Sequence, residues 1–296
     1  GNKNHLLGGI MKFIILLLSA ALMSCSDGGN SENTADIQGH KNSGKLSEVP
    51  TYTNTLNAKQ IESFKSFSTD FEAVSEYMEE DNYNNSSYNG CHRTESMNPP
   101  NSDNYNYKIE ISGSSCAISF VDNGVINSAS TQTDKSYSSK FSSSSNSVFK
   151  VENSSKLMGN LIATVVSDNS SEGEVNVNIL PNASYNYSST SLIKTNMRSI
   201  DLTGREVLVN GAIYLEANSN NSFTSTLKFS FTDQDFRVTL LITLSGSEGK
   251  ASTFDKISLN GKEISEKELG ELTDLFSDLK NEGTSSKVSP MSQLTF

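Results

Sequence analysis

The chain has 296 residues, a formal net charge of -11 and a hydrophobic fraction of 34%, with 52 Ser, 32 Asn, no Trp, three Cys and three His. Such an acidic chain lacks the basic stripe that displaces counterions from phosphate, which excludes nucleic acid as a partner. No run of 18 apolar residues occurs, which excludes a spanning helix.

The first patterned segment opens at Met11. Lys12 precedes the apolar run from Phe13 to Met23, and small residues and Cys25 follow. One cation, a short apolar core and small residues make the layout of a secretory signal peptide. Leu22-Met23-Ser24-Cys25 resembles the lipobox of bacterial lipoproteins. That resemblance implies acylation of Cys25, cleavage before it and a membrane anchor made of lipid, since two or three acyl chains hold stably where one does not. Ser26, rather than Asp, at the next position resembles the outer-membrane-sorted pattern, implying a site facing the periplasm or the cell surface. Gly1 to Ile10 read as upstream codons translated in frame, or as a longer basic leader. Residues 1–24 are therefore expected to be removed, leaving 21 basic against 34 acidic residues, or -13.

Residues 25–55 hold hardly any large apolar side chain and read as the lipidated Cys followed by a flexible tether. A single domain is expected over 56–281, with a loose tail over 282–296. Its first element is a helix from Lys59 to about Asp81. Ile61, Phe64, Phe67, Phe71, Val74 and Met78 form one apolar stripe, with Asn57 and Gln60 as the cap.

Between Asn104 and Ile264 the apolar period changes to two. Tyr105, Tyr107, Ile109 and Ile111 alternate with polar residues, as do Phe223, Leu227, Phe229 and Phe231, and then Phe236, Val238, Leu240, Ile242 and Leu244. That pattern predicts about nine to eleven antiparallel strands joined as a meander, with one face buried and one wet. Asn123-Gly124 and Asn260-Gly261 are expected to form tight hairpin turns, while Asn210-Gly211 reads as a turn or a bulge. The polar stretches 167–173, 216–221 and 245–250 read as hairpin loops. Ser-rich 136–147 reads as an edge strand or a loop, because Tyr137 and Phe141 are all it has to bury. Ser265 and Glu268 form a capping box that opens a second helix, with a stripe of Leu269, Leu272, Leu275, Phe276 and Leu279.

Motifs that carry chemistry are sparse. With Cys25 acylated, Cys91 and Cys116 form an even pair, expected to be bridged outside the cytoplasm; two unpaired thiols are the alternative. His40 and His92 lack neighbours at ligand spacing, so no metal or other cofactor is expected. Ser147-Val148-Phe149-Lys150 and Ser191-Leu192-Ile193-Lys194 match Ser-x-x-Lys, but a Ser-rich chain produces such matches by chance, and the partner motifs are missing. Asp168 to Gly173 imitates half a calcium loop, with Ile179 where a bidentate Glu belongs.

The expected fold class is α+β: a curved, half-barrel-like antiparallel meander with one N-terminal and one C-terminal amphipathic helix on its apolar face. A closed barrel and a two-sheet sandwich are the competing layouts. In element order alone the outline is similar to the half-barrels of lipoprotein carriers and receptors, a resemblance that transfers no residues. The expected function is a lipid-anchored envelope protein acting as a structural or interaction module without catalytic activity, its partners being the membrane and an envelope protein. The alternative is a carrier or receptor for an apolar ligand, an acyl chain or a lipoprotein, lined by Phe67, Phe71, Phe229, Phe231 and Leu240.

Overall fold

The structure, a computed structural model, describes residues 46–76, 90–100, 102–153, 162–181, 185–219, 222–247, 252–273 and 275–276. Cys25, His40, Met78, Leu279, the tether as far as residue 45 and the expected tail lie outside the described residues. Helix α1 spans Ala58–Glu76, and the sheet runs β1 (His92–Asn98), β2 (Tyr105–Ser112), β3 (Ile118–Thr133), β4 (Ser136–Val151), β5 (Ile162–Ile179), β6 (Tyr185–Asp201), β7 (Glu206–Asn218), β8 (Ser222–Thr232), β9 (Arg237–Ser247), β10 (Thr253–Leu259) and β11 (Lys262–Glu263). Helix α2 (Glu266–Leu272) follows. The strands pair strictly in chain order, antiparallel throughout, and the sheet is open, with β1 and β11 at its ends. The α+β meander is the expected one, and the closed barrel and the sandwich fall away.

Alternation puts the core on one face. Phe120, Phe149, Val165, Met197, Val209, Phe231, Val238 and Leu240 all point to the side that carries the helices, here the helix face. Asn57 and Gln60 cap α1 reciprocally, each backbone N–H donating to the other's side-chain oxygen at 3.0 Å. Such a cap contributes about 1 kcal/mol. Burial of Phe64, Phe67 and Phe71 contributes about 2–3 kcal/mol each, so packing, not propensity, holds the helix. Phe64 meets Phe231 and Phe236 edge-on, at centroid distances of 5.1 and 5.5 Å. The α2 capping box forms as expected, although the helix ends at Leu272. Leu275 and Phe276 stay buried beyond its end, with Phe276 5.6 Å from Phe229.

Four sequence expectations change. Asn123-Gly124 and Asn210-Gly211 lie inside β3 and β7, in unbroken register. Only Asn260-Gly261 turns, with both φ angles positive (49° and 81°), as a type I′ hairpin demands. Each in-strand glycine faces an aromatic residue directly across the ladder: Tyr107 opposite Gly124, Phe229 opposite Gly211, and likewise Phe141 opposite Gly173 and Phe223 opposite Gly246. The rings lie where a Cβ would stand; at Gly173 it would fall 2.5 Å from Phe141 Cζ. These glycines clear space for rings rather than turning the chain.

The stretch 136–147 is no edge or loop but part of β4, paired on both sides. Hydroxyl pairs stand where apolar contacts are missing: Ser147 Oγ with Ser167 Oγ at 2.6 Å, Ser143 Oγ with Ser171 Oγ at 2.8 Å, and Ser138 Oγ donating to Asn176 Oδ1 at 2.9 Å. Residues 167–173, expected to be a loop, are the middle of β5 for the same reason. The fourth change is the domain boundary. Leu46 and Val49, assigned to the tether, are 3% and 4% exposed, so packed chain extends at least to residue 46.

Candidate functional site

Residues 46–54 form a strap across the other face of the sheet. Leu46 and Val49 pack on Leu192, Ala212 and Tyr214, a small apolar cluster on β6 and β7 opposite the main core. Lys228 Nζ donates to the carbonyls of Val49 at 2.7 Å and Leu46 at 3.4 Å, and partial burial lowers its pKa. Glu48 bridges to Lys194 Nζ at 2.6 Å. Further along, Tyr52 N donates to Thr239 Oγ1 at 2.8 Å, Thr232 Oγ1 to Tyr52 Oη at 2.6 Å, and Asn260 Nδ2 to Asn54 O at 2.9 Å. The chain then passes to the helix face and enters α1.

Beside the strap lies a groove of about 670 Å³. Its floor is two in-register rows across the sheet. One runs Asn127, Ser142, Glu172, Leu192 and Tyr214 from β3 to β7; the next runs Ala129, Lys140, Glu174 and Thr190 from β3 to β6. Leu192 and Tyr214 belong to both strap contact and groove. Lys140 and Glu174 approach to 3.6 Å, and the groove carries two carboxylates against one ammonium. Asn104, whose Oδ1 accepts from Ser128 N at 3.0 Å, completes the wall. From the sequence, Glu172 and Leu192 stood only inside the half calcium loop and a chance Ser-x-x-Lys match, and none of these residues was expected to line a groove. One signal was legible: Leu192-Ile193 and Ile213-Tyr214-Leu215 break the alternation, as strands covered on both faces do.

The sequence-expected residues fall elsewhere. Cys91 and Cys116 are joined as a disulfide, with Cα atoms 4.6 Å apart and both side chains buried. The bridge ties the chain entering β1 to the β2–β3 connection. Phe67, Phe71, Phe229, Phe231 and Leu240 come together, between 0% and 6% exposed, and pack on one another and their neighbours. His92 is exposed on β1. Ser147 with Lys150, and Ser191 with Lys194, sit three apart on strands β4 and β6, so each pair points to opposite faces and cannot act together. Among the described residues no group of three His, Cys, Asp or Glu gathers as a metal site.

Two ionisable clusters stand out. Tyr107 Oη donates to Asp122 Oδ2 at 3.0 Å inside the helix face, and Asp122 is 2% exposed. Burial pushes its carboxyl up to about 6, although the bond from Tyr107 favours the charged form. Burial and the neighbouring carboxylate push the Tyr107 phenol up as well. At the other end, Arg205 Nε donates to Asp233 Oδ2 at 2.6 Å, its Nη2 to Ser63 Oγ at 2.9 Å, and its guanidinium lies 5.6 Å from the Phe236 ring centre. It thereby pins the β6–β7 and β8–β9 turns to α1. A cavity of about 60 Å³ beside it holds Asp70 and Asp201; burial first, then Asp201, raises the pKa of Asp70.

No family model, no curated protein and no solved structure matches the chain.

Proposed function

We propose that the protein is a lipid-anchored cell-envelope protein, held at its acylated Cys25, whose sheet domain is a non-catalytic interaction module. The observation that carries this reading is the sequence Lys12, apolar run, Leu22-Met23-Ser24-Cys25. The buried Cys91–Cys116 disulfide supports it, because such bridges persist in oxidising compartments outside the cytoplasm. Membrane attachment is through lipid, and the outer membrane is the assigned site. The groove beside the strap is the surface offered to a partner, since its side chains are polar and reachable. The carrier alternative would need open space between helices and sheet, where Phe64, Phe231 and Phe276 instead pack against one another's neighbours with 0–1% exposure.

The test is metabolic labelling with a clickable palmitate analogue in a bacterium with intact lipoprotein processing. The wild-type chain should take up label and partition into the detergent phase, and Cys25→Ala should do neither. Equal labelling of the two would sink the anchoring claim.

A further inference from the structure

We infer that the groove across β3–β7 is a binding site for a polyhydroxylated ligand, an oligosaccharide of the cell envelope. The inference rests on the envelope reading for where the ligand is met, and on the groove alone for what the ligand is.

Three properties of the groove select the ligand class. Its chemistry is hydroxyl, amide and carboxylate: Ser142, Thr190, Asn104, Asn127, Glu172 and Glu174. Between them these groups donate and accept, which suits the alternating donors and acceptors of a sugar, whereas an acyl chain would strip them of water and return no hydrogen bond. Two carboxylates against Lys140 disfavour a polyanion. Most of the floor's backbone is already committed: β4, β5 and β6 pair on both edges along both rows, and on β3, whose pairing with β2 ends at Ile126, Ser128 N already donates to Asn104 Oδ1. Recognition must therefore come from side chains standing on neighbouring strands, rungs about 4.8 Å apart, close to the dimension of a sugar ring.

The groove's apolar end is closed: Leu192 and Tyr214 lie under Leu46 and Val49 of the strap and are each 6% exposed, so the contacts to a ligand come from the polar rows. The strap also sets the reach. From Cys25 to Leu46 the chain can extend at most about 75 Å, so a groove beside Leu46 stays within that distance of the lipid anchor, where envelope polymers are met.

The experiment uses the mature acylated chain in detergent micelles against two immobilised panels. One holds oligosaccharides of glucose, galactose, mannose and N-acetylglucosamine; the other holds random decapeptides. At least one sugar series should bind saturably. Ser142→Trp, which places a large ring in the groove from an exposed strand position, should weaken binding by about tenfold or more. Lys150→Ala, exposed near the opposite end of β4, should leave it unchanged. Thermal melting of each variant shows that the fold is retained. Sugar binding indifferent to Ser142→Trp, peptide binding that Ser142→Trp abolishes, or no saturable sugar binding at all would each overturn the assignment. Palmitate labelling is read separately: a chain that binds sugar without incorporating palmitate would refute the anchor and leave the groove.

Discussion

Gly211 lies directly under the ring of Phe229, its partner across β7 and β8, and the ring fills the place a Cβ would take. Both neighbouring strands are in register, so neither the ring nor the backbone can withdraw without breaking ladder bonds. Gly211→Ala should destabilise the domain by about 1–3 kcal/mol, the usual range for overpacking a filled core. Gly270, inside α2 with nothing within 4 Å of its would-be Cβ, should respond oppositely. Gly270→Ala should stabilise by about 0.5–1 kcal/mol. Urea unfolding of the pair checks both signs, and two destabilised variants would contradict the argument.

Asp122 makes stability depend on pH in an unusual direction for a carboxylate. Its folded-state pKa is raised from 3.8 to about 6, so the native chain holds the proton more tightly than the unfolded one. Stability contributed by this group is full below 3.8, falls as pH rises towards 6, and is lost above. Asp122→Asn keeps an acceptor for Tyr107 and removes the buried charge. The variant should match wild type near pH 3.5 and exceed it progressively, reaching about 3 kcal/mol above pH 6.5. Unfolding curves from pH 3.5 to 8 test this, and a gap that is constant with pH would reject it.

Cys91–Cys116 closes a loop with a sequence separation of 25. In the chain-entropy account, breaking it should cost about 3 kcal/mol, before any penalty for two buried thiols. Non-reducing mass spectrometry of exported protein should find the pair two hydrogens lighter than the dithiol. Reduction, or Cys91→Ser with Cys116→Ser, should lower the urea midpoint. An unchanged midpoint would show that the β1 end of the sheet contributes little to the cooperative unit.

The strap should detach before the sheet unfolds. Leu46→Ala removes a side chain 3% exposed, and Lys228→Met removes the donor to two strap carbonyls. Leu46→Ala should cost about 2 kcal/mol. In both variants, amides of residues 46–54 should exchange faster while those of β7–β9 keep their protection. Uniform acceleration across the sheet would mean that the strap is part of the global fold.

Element type was legible where apolar side chains themselves carried the period. The alternation in β2, β8 and β9, the Phe stripe of α1 and the Ser265–Glu268 box each name their element within a few neighbouring residues. The candidate groove was not legible. Its floor is five strands wide, and a lateral row such as Asn127, Ser142, Glu172, Leu192 and Tyr214 exists only once the register is set.

By itself the sequence pointed to the antiparallel meander with a helix at each end, to Cys91 and Cys116 as the pair to be bridged, and to the buried side of those strands whose apolar residues alternate. All three follow from local periodicity and from an even cysteine count. Only the tertiary structure decided what Asn123-Gly124 and Asn210-Gly211 do, because a glycine inside a strand takes its meaning from the aromatic ring opposite, fifteen to twenty residues away (about the length of one long hairpin). It also decided that the Ser run of β4 is a central strand, since hydroxyls stabilise a sheet only when a neighbour presents another at bonding distance. And it decided that Leu46 and Val49 are core: two apolar residues in a polar stretch bury nothing until β6 and β7 bring Leu192, Ala212 and Tyr214 beneath them.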